Sequence, residues 1–294
     1  MSTNQRPLIA IDWGTTSLRG ARLGASGQVL ESREFPRGIL SVAPGQFEAV
    51  LHELFGDWLQ APGVLCLISG MAGSRQGWQE APYCPCPAGF AELGQHLLWL
   101  QPGRIALVPG LSCVGTDALN TPDVMRGEET QLCALLPVLG PGTHPVVLPG
   151  THSKHAQVVD GRIQQFSTYM TGELFAVLRQ HSLLGRMMVD APHDAAAFAE
   201  GVAMAARDGS LLHQLFSVRT RALFDQLQPA QLASYLSEQA GQQALMDASR
   251  FDDFNRRMAF VMHDIKNLAS QLSLLAANAQ KHADNPAFRA DMLL

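Results

Sequence analysis

Three things are scarce in this 294-residue chain, and each scarcity closes off a class of function. Charged residues make up only 16%, with a formal net charge of −5, so no basic surplus exists to draw nucleic acid or an anionic membrane surface. Cysteine occurs five times, an odd number without framework spacing, which argues against a disulfide-stapled secreted scaffold and for a reducing cytoplasm. Cys84 and Cys86, in YCPCP, lack a second Cys/His pair at zinc-site spacing, so a structural zinc is not expected either. No apolar run is long enough to span a membrane, and residues 1–7 are polar where a secretory leader would be apolar. What is present is 47% hydrophobic residues and enough length for two domains with cores of their own.

Two stretches repeat one pattern. LIAIDWGTTSLRGARLGASGQVLES, from Leu8, and VVLPGTHSKHAQVVDGRIQQFST, from Val146, each give an apolar run, a tight turn, an alternating run, a Gly-containing turn and a third run. Setting Gly14-Thr15 on Gly150-Thr151 places Ser17 on Ser153. A strand–turn–strand–turn–strand meander accounts for both. Glycine in such a turn lets the main chain approach a phosphate, with N–H groups and hydroxyls as donors. Gly14, Thr15, Thr16 and Ser17 are therefore candidate phosphate contacts, as are Gly150, Thr151 and Ser153. Two such turns facing each other would clamp a nucleotide's phosphates between two domains. Asp12 ends the first strand just before its turn, where a carboxylate can hold hydrated Mg²⁺ beside the phosphates. The second copy has Leu148 at that place, so the two turns are not equivalent. Lys154 alternates with Ser153 and is read as structural or solvated, and His152 and His155 do not have metal-site spacing.

Between and after the repeats the periodicity predicts further elements. GQFEAVLHELFGDWLQ reads as a helix stopped by APG, and VLCLISG as a short buried strand running into a glycine turn. RIALVPGLS reads as strand, Pro-Gly and polar loop, and 126–139 as a helix. TGELFAVLRQHSLLG, DAAAFAEGVAMAAR and LLHQLFSVRTRALFDQL all have helical spacing.

DWGTTSLRGARL, SGMAGSRQGW, PYCPCPAG, PDVMRGEETQ and LPGTHSKH, in this order, resemble the 2-dehydro-3-deoxygalactonokinase family, within the superfamily of sugar kinases, heat-shock chaperones and actin. The resemblance runs from about Leu8 to about Leu236. It implies an α/β, actin-like (ribonuclease H-like) two-domain kinase fold, with domain I over 1–115 and domain II over 116–236. It also implies ATP as phosphate donor with Mg²⁺, and a keto-deoxy sugar acid, 2-dehydro-3-deoxygalactonate or a near relative, as acceptor. The family continues past YLS into elements that hold adenosine, so the second domain is expected to be incomplete.

The same resemblance distributes roles. Arg19, in DWGTTSLR, would reach the transferring phosphoryl group, with a plain surface arginine as the alternative. The base that takes the hydroxyl proton should be a carboxylate near the cleft, and PDVMRGEETQ offers Asp123, Glu128 and Glu129. A Gly-acid pair opens a helix just upstream of the second phosphate loop in the wider carbohydrate-kinase group. Gly127-Glu128 matches that placement, which puts Glu128 first and Asp123 behind it. Glu129 reads as a helix N-terminal acid favoured by the macrodipole. Ser74, Arg75, Gln76 and Trp78, in a glycine-flanked loop, suit a polyol acid, and Arg75 or Arg126 would clamp its carboxylate. Tyr83 and Cys86 read as loop packing.

Residues 237–294 change character. Ala259, Phe260, Met262, Ile265, Leu268, Leu272 and Leu275 form the stripe of a long amphipathic helix. FVMHDIKNLASQLSLL resembles the phosphoacceptor helix of sensor histidine kinases, which implies a dimerising helix, a homodimer through it, and His263 as phosphoacceptor. Beside the sugar-acid kinase, two alternatives therefore stand: a signalling module presenting His263, and an inactive hybrid of the two.

Overall fold

The computed structural model describes residues 7–24, 27–114, 120–207 and 210–237. The expected tail helix and His263 lie outside them. The chain divides into two compact units, Met1–Ala176 and Val177–Leu294.

The first unit opens with the first meander: β1 (Leu8–Trp13), β2 (Leu18–Leu23) and β3 (Val29–Phe35), antiparallel in sequence order. Ile9, Ile11 and Trp13 alternate onto a buried face while Asp12 stays exposed on the other. The helix α1 (Phe47–Leu59) lays Phe47, Val50, Leu51, Phe55, Trp58 and Leu59 on that buried face. Each such side chain contributes roughly 1.5–3 kcal/mol when fully buried. Gly20 is required beneath the helix, because a Cβ there would come within 2.3 Å of Phe55. The strand β4 (Leu65–Gly70) then runs parallel to β1, with Asp12 opposite Ser69.

Two short elements follow, β5 (Cys84–Pro85) and α2 (Phe90–Gln95). Next come β6 (Leu98–Gln101) and β7 (Ile105–Leu107), which complete a six-stranded sheet of order β3-β2-β1-β4-β7-β6. Leu111-Ser112, after Pro109-Gly110, was expected to open a polar loop and instead begins the strand β8 (Leu111–Val114). It lies between β5 and β9 (Pro122–Met125), its Leu111 and Cys113 buried. After α3 (Glu128–Leu139) comes the second meander, β10 (Thr143–Leu148), β11 (Ser153–Val159) and β12 (Arg162–Tyr169).

Leu132, Leu136, Val146, Val158, Ile163 and Phe166 share one core with Leu111 and Met125. The residue 115/116 division falls inside this unit, where Ala88, Cys113 and Asp123 all hydrogen-bond to β12. α4 (Gly172–His181) begins at the end of the second meander.

In the second unit, α5 (Ala195–Ala205) is capped by Asp194, whose carboxylate accepts the Ala196 and Ala197 N–H groups at 3.0 and 2.9 Å. α6 (Leu211–Leu223) contributes Leu215 and Val218 to the buried residues of this unit. Tyr235 is fully buried with its hydroxyl 2.9 Å from Ser217 Oγ. Among the described residues no helix is long and apolar enough to cross a membrane.

Candidate functional site

The turn after β1 is held from behind. The carbonyls of Gly14, Thr15 and Thr16 accept hydrogen bonds from Ile39, Leu40 and Gly38 N–H at 3.0, 3.3 and 3.1 Å. In a planar trans peptide the N–H points away from its carbonyl. The N–H groups of Thr15, Thr16 and Ser17 are therefore turned the other way, in a loop whose Thr15 and Thr16 are exposed. Successive amides pointing out of a tight turn make an anion cradle.

The second meander uses the same device. Gly150 O accepts from Gly172 N–H at 3.3 Å, and Thr151 O from Glu173 N–H at 3.0 Å. This turns the Thr151 and His152 N–H groups outward. In both copies a glycine three residues after the aromatic end of the third strand makes the clip: Phe35 to Gly38, Tyr169 to Gly172. The signal is legible in FPRGIL and YMTGEL, but reading the meanders alone missed it. Neither glycine has room for a side chain. A Cβ on Gly38 would fall 2.3 Å from the Thr15 carbonyl, and one on Gly172 would fall 2.6 Å from Gly150 O. Gly38→Ala is expected to cost about 1–3 kcal/mol in chemical denaturation and to weaken nucleotide binding in the same protein. Unchanged stability and affinity would show that the clip does not shape the loop.

Ser153 is buried with its hydroxyl 2.5 Å from Thr171 Oγ1, so at that position the loop offers main chain rather than hydroxyl. Lys154 is buried as well, donating to Val124 O at 2.8 Å and Thr168 Oγ1 at 2.9 Å, a structural tie between β9, β11 and β12. Burial pushes the His155 imidazole down to about 4, and its ring lies against Tyr169. Among the described residues no cluster of metal-binding side chains is present.

Asp12, Arg19 and Glu34 are cross-strand partners in one row, with Ser69 on the other side of Asp12. Directly opposed residues share a face. Arg19 is thus one strand from Asp12, its Nε 3.0 Å from Glu34 in an exposed pair that water screens and a ligand can open. No described residue hydrogen-bonds the Asp12 carboxylate. It borders Gly70, which has φ +85, and a Cβ on Gly70 would stand 3.1 Å from Asp12 Oδ1. Gly70 in turn lies near Gly127: a Cβ on Gly127 would be 3.6 Å from Gly70 Cα. The strand end bearing Asp12 and the start of α3 bearing Glu128 therefore meet through two glycines. A carboxylate that is exposed, unengaged and beside an amide cradle fits a hydrated divalent cation.

The other base candidate is occupied. Asp123 Oδ2 accepts Thr168 N–H at 2.6 Å, and its Oδ1 accepts both Thr168 Oγ1–H at 2.6 Å and Val124 N–H at 2.7 Å. It joins β9 to β12. Glu128 is half-buried and bonded only weakly, accepting Arg126 N–H at 3.2 Å.

Arg126 reaches back under the loop after β4. Its Nη2 donates to Ala81 O at 2.8 Å, and its guanidinium lies 4.4 Å from the Tyr83 ring centre. Its Nη1 is packed where a Cβ on Gly73 would be, at 2.9 Å. Nε and Nη1 are buried without a hydrogen-bond partner among the described residues, and so is the neighbouring Ser74 Oγ. Orphaned donors of this kind call for a ligand or water. Arg75 is 86% exposed and paired with Glu80, and Gln76 is exposed. Trp78 stacks on Phe47 and meets Trp13 edge-on, so it belongs to the α1 core and is no free plate for a sugar. Tyr83 was expected to be loop packing, and its partner there is Arg126, which nothing in local spacing pairs with it.

Residues 12–241 match the 2-keto-3-deoxy-galactonokinase family. A Rhizobium meliloti (strain 1021) protein named for 2-dehydro-3-deoxygalactonokinase is 38% identical over 235 residues, covering 78% of this chain and 76% of that one. The Escherichia coli (strain K12) 2-dehydro-3-deoxygalactonokinase is 38% identical over 229 residues, with coverage of 78% and 76%. A crystal structure from Sinorhizobium meliloti, assigned to the same enzyme, superposes with a TM-score of 0.72 at 36% identity, covering 82% of this chain and 80% of the other.

Proposed function

The chain belongs to the 2-keto-3-deoxy-galactonokinase family, and from that premise we propose that it transfers the γ-phosphoryl group of ATP to a hydroxyl of 2-dehydro-3-deoxygalactonate. The observation that carries this reading is the junction of Asp12, Gly70 and Gly127, which joins a carboxylate beside an amide cradle to a helix start bearing Glu128. Phosphoryl transfer asks the protein mainly for positioning and charge neutralisation. The outward amides of Thr15, Thr16 and Ser17, and of Thr151 and His152, hold phosphate oxygens. Asp12 would hold Mg²⁺ through its carboxylate, and the ion would supply charge neutralisation for the transferring group. Arg19 leaves Glu34 for the phosphoryl oxygens. Glu128 takes the proton of the attacking hydroxyl.

Residues 1–115 and 116–236 are read as the two halves of an actin-like kinase, each carrying one phosphate loop. The signalling alternative rests on His263, outside the described residues, and the relatives above lend it no support.

Arg126, whose Nη1 packs at Gly73, and Ser74, the next residue along that loop, both carry orphaned polar atoms and bind the substrate carboxylate in this reading. Arg75 and Gln76 lie at the edge of that loop. A charge-assisted hydrogen bond contributes roughly 1.5–3 kcal/mol, so Arg126→Gln should raise the sugar-acid KM about 10- to 150-fold and leave the ATP KM nearly unchanged. An unaltered sugar-acid KM would move the carboxylate elsewhere. The reading as a whole is tested by ADP release with ATP, Mg²⁺ and 2-dehydro-3-deoxygalactonate against a control without sugar. A folded protein showing no sugar-dependent release would sink it.

A further inference from the structure

Glu129 stands in the first turn of α3, as expected of a helix N-terminal acid, and it is fully buried there. Its Oε2 accepts the Gly127 N–H at 2.6 Å, and its Oε1 is buried without a hydrogen-bond partner among the described residues. Burial pushes its carboxyl up to about 8; the Glu129 and Gly127 N–H groups and the Arg126 charge pull it down, and Glu128 pushes the same way as burial. Its neighbour on the next turn, Cys133, is buried as well. A buried polar atom left without a partner costs stability. An apolar side chain would fill the same volume without that cost, so the carboxyl has a use beyond packing.

The use lies in what Gly127 does. It has φ +109, a conformation that L side chains rarely adopt and that glycine itself does not select uniquely. Both sides of it are pinned. Glu129 takes its N–H, while Thr130 Oγ1 and Thr130 N–H donate to its carbonyl at 2.6 and 3.3 Å. Arg126 and Glu128 flank this glycine in the chain, and a Cβ on it would stand 3.6 Å from Gly70 Cα at the end of β4. Rotating the 126–127 peptide would swing the Arg126 guanidinium off Ala81 and Tyr83 and move the start of α3 that carries Glu128.

We propose that Glu129 is a positioning residue of the transfer site: by holding the Gly127 N–H it fixes the peptide from which Arg126 and Glu128 diverge, and so aims both. The proposal rests on the kinase reading above. The role needs an acceptor for one N–H and no charge, which an amide supplies equally well.

The test compares Glu129→Ala, Glu129→Gln and Leu132→Ala with the parent chain. Leu132 is fully buried one turn along α3 and is given no role in the transfer, so it reports simple loosening of the helix. A displacement of about 1 Å near the chemistry costs about 100-fold, so Glu129→Ala should lose about that in kcat and raise the sugar-acid KM, with the ATP KM within about twofold. Glu129→Gln should keep at least about a third of the parental kcat, and Leu132→Ala should lower the melting temperature with kcat retained. Gly127 amide exchange, followed by NMR on ¹⁵N-glycine-labelled protein, gives a readout without turnover. The amide should be protected in the parent and in Glu129→Gln, and exposed in Glu129→Ala. Parental kcat in Glu129→Ala, loss in Glu129→Gln as deep as in Glu129→Ala, or equal loss in Leu132→Ala overturns the proposal. So does a Gly127 amide that exchanges alike in all four proteins. A parent chain without sugar-dependent turnover overturns the kinase reading instead, and amide exchange alone then decides whether Glu129 holds Gly127.

Discussion

Asp12→Asn folds and melts like the parent chain but turns over on the order of 10³-fold more slowly. The two halves of that expectation have separate causes. Asp12 is exposed at the end of β1, and no described residue hydrogen-bonds its carboxylate, so removing its charge breaks no buried contact. The same carboxylate is the group beside the amide cradle that can bind Mg²⁺, and asparagine is a far poorer ligand for a hard cation. Thermal melting and ADP release on one preparation check both halves. Parental turnover would remove Asp12 from the site, and a large loss of melting temperature would mean that its role is structural.

Glu128→Gln is the second large effect, with kcat lower by roughly 10²–10⁴-fold and both KM values little changed. The residue is chosen by elimination on geometry. Asp123 has both oxygens engaged by Val124 and Thr168, and Glu129 is buried on Gly127. Glu128 stands at the helix start that meets the Asp12 strand end, with only a 3.2 Å bond from Arg126 N–H to give up. Its amide analogue keeps the shape and the acceptor but takes no proton. Steady-state kinetics with either substrate varied is the measurement. Retained kcat would hand proton removal to water or to another carboxylate.

Where the fold follows from short-range periodicity, the sequence was enough. The alternation of Ile9, Ile11 and Trp13 and the helical spacing of Phe47, Val50, Leu51 and Phe55 specify β1 and α1 before any contact is known. The two Gly-Thr turns, and Asp12 exposed just ahead of the first, were legible for the same reason, since each is written in adjacent residues. What failed depended on partners far along the chain. Leu111-Ser112 reads as the opening of a loop until Cys84 and Met125 flank it as strand neighbours. Trp78 reads as a sugar plate until Trp13 and Phe47 enclose it. Asp123 and Glu129 are both acidic residues within one short segment, yet β12 captures the first and the core engulfs the second. No local pattern separates those fates.

The glycine clips at Gly38 and Gly172 have a consequence for how this protein tolerates mutation. With carbonyls locked inward, the groups that the proposed site offers to phosphate are main-chain amides, which every residue except proline carries. Drift at Thr15, Thr16, Thr151 or His152 can change the side chain and still leave the donor in place. Vulnerability is displaced onto two small residues that never touch the ligand. A survey of variants would therefore find the loops themselves permissive and the two clips behind them intolerant, so that the positions most sensitive to change lie one layer away from the nucleotide.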